Sequence, residues 1–547
     1  MAEYSISPTG DKYKLPKAAH YNKEFKRIKK IVNKRKDNGD EIVVVMGLGF
    51  VGAVMAAVVA DTDNKFVIGM QRPSVRSFWK IPMINSGVSP VKAEDPEVNE
   101  IISRCVNDKK SLIATYTSEV LKLADVVVID IQCDYIKTKV GQVVDGHADI
   151  SALKKSFEII GETIKDDCLV LIETTVPPGT TEKIAYPIIK RGFHDRGITS
   201  EPLLSHSFER VMPGKNYVSS IRDFWRVCSG INDESRSRVV NFLSDVLNVD
   251  EYPLTVLDKP VESETCKIVE NSYRSTVLAF MDEWSRFAEL NKVDITKVID
   301  AIKVRPTHSN IMFPGPGIGG YCLPKDGGLG YWANNALFGN EENIFKLSTK
   351  AIDINDMRPM RILRLLSDHF IKDKMSDDTI DGITEGIKVG LLGVSYREDV
   401  GDTRYSGCEL LVRSLLSVNI SNIKIHDPYI KTWHEIESQS EYPVKGIDWN
   451  NQLSNQNLAN DLKMEDTISD TINGADVVIL AVRHAEYMNL DPKDVVDMIG
   501  NSALIVDCFG LLNDEQIAKY ILLGCDVKGL GRGHIDRIKE ELQGYNI

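Results

Sequence analysis

The chain has 547 residues, 43% apolar and 27% charged, with a formal net charge of −13. That length exceeds what one hydrophobic core serves and points to about three domains, while the acidic balance argues against a nucleic-acid binder, whose surface must neutralise phosphates. Nine scattered cysteines that never form CxxC, and histidines that never form HExxH, exclude the common zinc spacings and a disulfide framework, so no metal and a reducing, cytoplasmic compartment are expected.

The first forty residues lack the apolar segment of a signal peptide. Residues 11–36 carry eleven Lys or Arg against two acids, and Tyr21, Phe25, Ile28 and Val32 recur at helical spacing. This predicts a short amphipathic helix, either packed on a neighbouring surface or anchoring an anionic partner or membrane, and residues 1–40 are set apart as a basic arm. The run IVVVMGLGFVGAVMAAVVA (42–60) is long enough to span a bilayer, yet its three glycines and the absence of stop-transfer flanks favour a strand, turn and helix, and no transmembrane segment is expected.

From Glu41 strands and helices alternate: EIVVVMG, then the helix GFVGAVMAAVVAD, then KFVIGMQ, ADVVVIDI (124–131), CLVLIETTV (168–176) and RVCSGI (226–231). Continuous β-branched runs, rather than alternation, predict a parallel sheet covered on both faces. Helical periodicity takes over at 260–303 and again at 326–370, and a polar linker follows at 371–386. Strand signals return at KVGLLGV, NIKIHDPY, ADVVILAV and ALIVDCF, with a polar surface insertion at 434–467. The fold class is therefore α/β: two Rossmann-like parallel-sheet domains (41–235 and 387–547) joined by a central helical domain (236–370).

GLGFVG (47–52) matches G-x-G-x-x-G between a strand and a helix, the context that makes the motif a dinucleotide site. Gly47 would make the turn, Gly49 admit the pyrophosphate and Gly52 pack the helix, with Phe50 and Val51 at the helix N-terminus. The end of the second strand has Gln71, Arg72 and Arg76 where an NAD enzyme usually has an acid for the ribose hydroxyls. Glutamine can bond a hydroxyl, whereas arginines can meet a 2′-phosphate; NAD is expected and NADP stays open.

Five further stretches carry candidate chemistry: ETTVPPGT (173–180) at a strand's carboxyl end, SFERVMPG (207–214), CKIVENS (266–272) with Lys267 and Asn271 on one helix face, GPGIGGYCLPKD (315–326) around Cys322, and GDTRYS (401–406). In this order they resemble the UDP-glucose/GDP-mannose dehydrogenase family, the nucleotide-sugar 6-dehydrogenases. The resemblance runs from Glu41 to about His534 and extends to HDPY (426–429), LIVDCFGLL (504–512) and KGLGRG (528–533).

The resemblance implies a four-electron oxidation of a sugar C6 alcohol to a carboxylate, with two NAD and no metal. Cys322 would be the nucleophile that captures the aldehyde as a thiohemiacetal, later a thioester. Lys267 and Asn271 would donate to the developing oxyanion, and an ammonium nearby lowers a thiol's pKa. Glu209 would be the general base for water, Thr175 would orient that water and sit against the cofactor, and Asp326 would support the lysine or the water. Phe313 and the loop of Gly315, Gly317, Gly319 and Gly320 would wrap the nucleotide sugar, together with Arg210 and Arg397. Arg404 would reach the nucleotide sugar of a neighbouring subunit, making the helical middle a dimer interface with shared active sites, in a homodimer or higher assembly.

The chain departs from the family pattern at Gln71, at Ile131-Gln132-Cys133-Asp134 where a V-P-T-P-like run is usual, at Phe208 where the motif has proline, and at Arg397 where it has lysine. ERVMPG resembles the branch acting on UDP-N-acetylhexosamines, whereas C-L-P-K-D looks more like UDP-glucose or GDP-mannose enzymes. The expectation is a UDP-sugar, acetamido before glucose. Two alternatives stand beside it: a two-electron hydroxyacid-type dehydrogenase and a catalytically weakened scaffold relative.

Overall fold

The computed structural model describes residues 3–211, 214–313, 315–370, 386–433, 436 and 462–544. The expected linker, save Gly386, and most of the expected 434–467 insertion lie outside the described residues. The chain forms two units, one built from residues up to Asp134 with Ala148–Ile268 and Trp332–Glu342, the other from Tyr135–His147, Val269–Tyr331 and the chain from Asn343 onward.

In the first unit a hairpin, β1 (Tyr4–Ile6) and β2 (Lys12–Lys14), precedes helix Ala18–Asp37. That helix buries Ile28 and Val32 completely, and Tyr21 meets Tyr116 edge to face at 5.0 Å. Arg35 donates to the Lys109 carbonyl at 3.1 Å, and Lys36 pairs with Asp125. The basic helix is thus packed on the unit's own surface, the first of its two expected roles.

β3 (Glu41–Met46), β4 (Lys65–Met70), β5 (Leu112–Thr115) and β6 (Val126–Ile129) lie on either side of the glycine motif in the chain. A short pair, β7 (Asp134–Ile136) and β8 (His147–Asp149), follows. β9 (Leu169–Ile172), β10 (Leu203–Phe208), β11 (Val227–Gly230) and β12 (Thr255–Leu257) complete an eight-stranded sheet of order β12-β11-β10-β9-β6-β3-β4-β5. Its strands are parallel except that β10 and β11 run antiparallel. The expected parallel sheet has this one departure: among the described residues the segment joining these two strands holds only the short helix Tyr217–Arg222, and antiparallel neighbours need no long crossover. The apolar run 42–60 divides between β3 and helix Phe50–Asp61, nine of whose residues are buried, and no described helix is long and apolar enough to cross a membrane.

The second unit holds a six-stranded, wholly parallel sheet made of β13 (Lys388–Leu392), β14 (Asn422–His426), β15 (Lys463–Met464), β16 (Val477–Leu480), β17 (Leu504–Asp507) and β18 (Asp526–Gly529), in the order β15-β14-β13-β16-β17-β18. Alternate residues serve two cores, as the pleat requires. Val477, Ile479, Leu504 and Val506 join one with Leu411 and Leu415, whereas Val478, Leu480 and Ile505 join the other with Val495 and Ile517. The helical part contains most of helix Pro260–Leu290 with helices Ile295–Lys303, Lys346–Met357 and Met360–Phe370. Asp282, fully buried, ties helix Pro260–Leu290 to helix Met360–Phe370 by accepting from Arg361 at 2.5 Å, and faces Arg358 at 3.4 Å.

Candidate active site

The glycine motif has the geometry a dinucleotide needs. Gly47 turns at φ +97°, and a Cβ there would lie 2.7 Å from the Asp130 carbonyl oxygen. A Cβ at Gly52 would lie 2.0 Å from the Gly47 carbonyl oxygen, whereas one at Gly49 would meet nothing within 4 Å. Close packing is thus enforced at the first and third glycines, and space is left at the second, where a pyrophosphate approaches. Helix Phe50–Asp61 starts there with no side-chain cap, which keeps its positive end toward that space. Gln71 is already engaged: its carbonyl accepts from Leu48 N–H at 2.9 Å and its amide reaches Ser77 at 3.3 Å.

Beneath the motif lies a buried charge cluster that motif reading missed. Arg226 pairs with Glu173 at 2.5 Å, and both are almost completely buried. Burial, then the Glu173 charge, pushes Asp130 well above the usual carboxylate range, while Arg226 opposes the upward push of burial on Glu173. Asp130 Oδ2 and Glu173 Oε2 are both buried without a donor. A proton on Asp130 relieves the repulsion between the two buried carboxyls and leaves Arg226 to Glu173.

Glu173 opens the stretch that carries Thr175, which is 9% exposed. The end of this stretch is fixed by Glu264, a wholly buried carboxyl that accepts from Gly179 N–H at 2.6 Å, Thr181 N–H at 2.8 Å and the Thr181 hydroxyl at 2.6 Å. Glu264 stands three residues before Lys267 on helix Pro260–Leu290, so one side chain ties the Thr175 loop to the lysine's helix. Burial pushes Glu264 up to about 8, and the three donors pull against it. The folded state therefore keeps a proton that the unfolded chain releases at ordinary carboxyl pH, and this contribution to stability is full below about 4.5 and lost as pH rises through about 8. Between pH 5 and 8.5 the wild type is expected to lose on the order of 3 kcal/mol against Glu264→Gln, read from urea unfolding at both pH values. A pH-independent difference between the two proteins contradicts this.

Lys267 is 6% exposed. Its Nζ donates to the Glu209 carbonyl at 2.7 Å, stands 4.0 Å from Glu209 Oε1, and lies 5.4 Å from the centre of the Phe208 ring. The Arg210 guanidinium lies 5.1 Å from the same ring, so the phenylalanine found where the family motif has proline presents its π system to two cations. Arg210 also donates to the Trp225 carbonyl. His206, on the same strand, is bonded to Ser263 at 2.7 Å and driven down to about 3 by burial, which makes it a neutral packing residue rather than an acid or base.

The second unit assembles the thiol loop. Asp326 accepts from Asn271 at 2.7 Å through one oxygen and from Lys325 at 2.8 Å through the other, all three being buried. Lys325 lies 4.4 Å from the centre of the Tyr321 ring and was not singled out by motif. Of the nine cysteines only Cys266 and Cys322 are partly exposed. Burial lifts Cys105 and Cys228 to about 11, and Cys168 and Cys408 to about 12, which keeps those thiols protonated and inert.

The glycines before Cys322 serve close approach to protein. A Cβ at Gly319 would lie 2.4 Å from Tyr396, one at Gly315 2.3 Å from Phe509, and one at Gly317 3.0 Å from Gly407. Gly320 N–H donates to the Arg404 carbonyl at 2.9 Å, while the Arg404 guanidinium forks onto Asp402. The thiol loop is therefore seated on the loops after β13 and β17. Arg397 Nε is buried with no hydrogen-bond partner. Phe313 packs near Ile295 and Ile299, with Lys303 5.0 Å and Arg483 5.8 Å from its ring centre.

Three family models match the chain: the UDP-glucose/GDP-mannose dehydrogenase family's NAD binding domain at residues 41–246, its central domain at 261–356 and its UDP binding domain at 390–514. A UDP-N-acetyl-D-mannosamine dehydrogenase of Methanococcus aeolicus is 26% identical over 507 residues, covering 92% of this chain and 98% of that protein. One from Pyrococcus horikoshii is 24% identical, covering 90% of this chain and 100% of that protein. The crystal structure of an NDP-N-acetyl-D-galactosaminuronic acid dehydrogenase from Methanosarcina mazei Go1 is similar with a TM-score of 0.69 at 26% identity, over 92% of this chain and 98% of that one.

Proposed function

This chain belongs to the UDP-glucose/GDP-mannose dehydrogenase family, an NAD-dependent nucleotide-sugar oxidoreductase, and we propose that it oxidises the C6 hydroxyl of a UDP-N-acetylhexosamine, UDP-N-acetylmannosamine foremost, to the uronic acid. The observation that carries the thiol chemistry is Cys322: one of two partly exposed cysteines, held three residues from a buried lysine in a loop fixed by its glycines. The acetamido sugar is favoured by ERVMPG and by the substrates named for the relatives above. Residues 41–235 serve the cofactor, 236–370 the thiol and 387–547 the nucleotide, and the enzyme works in the cytoplasm, consistent with nine cysteines that form no disulfide.

NAD, which the glycine turn of residues 47–52 would hold, would supply the hydride acceptor for both oxidations. The chain's own groups do the rest. The Cys322 thiolate attacks the aldehyde carbon, and the carbonyl oxygen gains negative charge that Lys267 and Asn271 stabilise by donation. Loss of the second hydride leaves a thioester on Cys322. Water, deprotonated by Glu209 and oriented by Thr175, attacks it; the C–S bond breaks, and the uronate leaves with the thiolate restored. Asp326 acts through Asn271, orienting its amide, and so positions rather than reacts. Arg397 supplies a cation for the nucleotide diphosphate, and Arg404 extends to the site of a second subunit.

The second subunit would sit on helix Pro260–Leu290, where Tyr273, Phe280, Trp284, Phe287 and Leu290 are 46–84% exposed along one stripe. Such a contiguous apolar face marks an interface. Neither alternative is favoured: a two-electron hydroxyacid dehydrogenase needs neither the thiol loop nor a UDP binding domain, and every catalytic side chain named here is present. The test is turnover of UDP-ManNAc, UDP-GlcNAc, UDP-GalNAc, UDP-glucose and GDP-mannose with NAD, alongside the solution mass of Trp284→Glu/Phe287→Glu. Highest kcat/KM on UDP-ManNAc and a halved mass for the variant are expected; best turnover of GDP-mannose, or an unchanged mass, refutes the corresponding assignment.

A further inference from the structure

The end of β4 carries no acid. Residues 64–93 contain no Asp or Glu, while Arg72, Arg76 and Lys80 fall within nine residues of one another there. Lys80 is only partly exposed, and its Nζ donates to the Leu48 carbonyl at 3.0 Å. Leu48 lies between Gly47 and Gly49, and its N–H is held by Gln71, so the N–H and the C=O of the residue between the two glycines are both gripped by side chains that follow β4. Among the described residues no carboxylate pairs with Lys80, and burial pulls its pKa down with nothing opposing. Arg72 and Arg76 are exposed and form no ion pair among the described residues. The acid at the neighbouring strand end, Glu24, reaches the Thr115 hydroxyl at 3.3 Å but is forked by Arg27 at 2.9 and 2.8 Å.

A half-buried ammonium without a counter-ion is unfavourable unless a ligand brings the anion. An acid at this position bonds ribose hydroxyls and repels a 2′-phosphate, whereas arginine accommodates one. Here the acid is replaced by an amide already engaged by Leu48 N–H and the Ser77 hydroxyl, with Lys80 on the Leu48 carbonyl and Arg72 and Arg76 close by in the chain. We propose that the adenosine end of the cofactor site is built for a 2′-phosphate, held by Lys80 and Arg72, so that the enzyme binds NADP at least as tightly as NAD. This rests on the reading of residues 47–52 as the dinucleotide site.

The test is calorimetric binding of NAD, NADP, AMP and 2′-AMP to the full-length enzyme and to Lys80→Met and Arg72→Gln. In the wild type 2′-AMP should outbind AMP, and NADP should match or exceed NAD. Each variant should lower the NADP-to-NAD affinity ratio about tenfold or more, the value of one charge-assisted hydrogen bond. Because Arg72 is exposed, its variant keeps the test independent of any packing defect at Lys80. NADP binding at least about tenfold weaker than NAD, or ratios unchanged in both variants, overturns the proposal while leaving the dinucleotide site intact. Binding of neither dinucleotide overturns the site itself, and the proposal with it.

Discussion

Cys322→Ala is expected to lower uronic acid formation by at least about three orders of magnitude, with any residual cofactor reduction stopping at one equivalent per sugar. The variant loses the only group proposed to hold the aldehyde between oxidations. Its fold should be unaffected, because the thiol sits in a loop seated by close glycine approaches to Tyr396, Phe509 and Gly407. Chromatographic separation of acid from aldehyde product reads the outcome. Acid formation within about tenfold of wild type would reduce Cys322 to a packing residue.

Arg226→Met is expected to destabilise the first unit by about 3–5 kcal/mol, the effect of leaving a buried charge uncompensated. Glu173 would then share a dry pocket with Asp130 and no cation, since the Arg226 contact at 2.5 Å is the ion pair that opposes its burial. The double variant Glu173→Gln/Arg226→Met should lose less than Arg226→Met alone, because removing both charges removes the orphan. Urea unfolding followed by tryptophan fluorescence measures both. A loss under about 1 kcal/mol for the single variant, or additive losses, would show that Glu173 is not held as an ion.

What was legible in the sequence follows from what carries local signal. β3, β6, β9, β16 and β17 are mostly apolar runs rich in Val, Ile and Leu and are read directly, as is the strand–glycine–helix motif. β10 escaped because Ser205, His206 and Ser207 look like loop residues, yet all three are fully buried, Ser205 bonding to Ser235 and His206 to Ser263. The antiparallel turn of β11 escaped because composition carries no strand direction.

At the site, motif order gathers Lys267, Asn271, Glu209 and Asp326 without pairing them, and Asp326 is expected to support the lysine or the water; the structure bonds Asp326 to Asn271 and Lys325, and Lys267 to the Glu209 carbonyl. The Asp130–Glu173–Arg226 cluster and the Glu264 brace were not legible, because their members lie 43 or more residues from their partners and no spacing rule joins them. Phe208 stood out only as a departure from proline, and its placement against Lys267 gives that departure a physical reason. Lys80 carried no signal at all, since an isolated lysine after a strand is ordinarily solvated, and only its missing counter-ion distinguishes it.

The most direct test of the central claim is the number of cofactor equivalents reduced per UDP-sugar consumed by the wild-type enzyme, taken to completion with the sugar limiting. Capture of the aldehyde on Cys322 requires two equivalents and a uronic acid as the sole sugar product. One equivalent per sugar, with free aldehyde released, would contradict it.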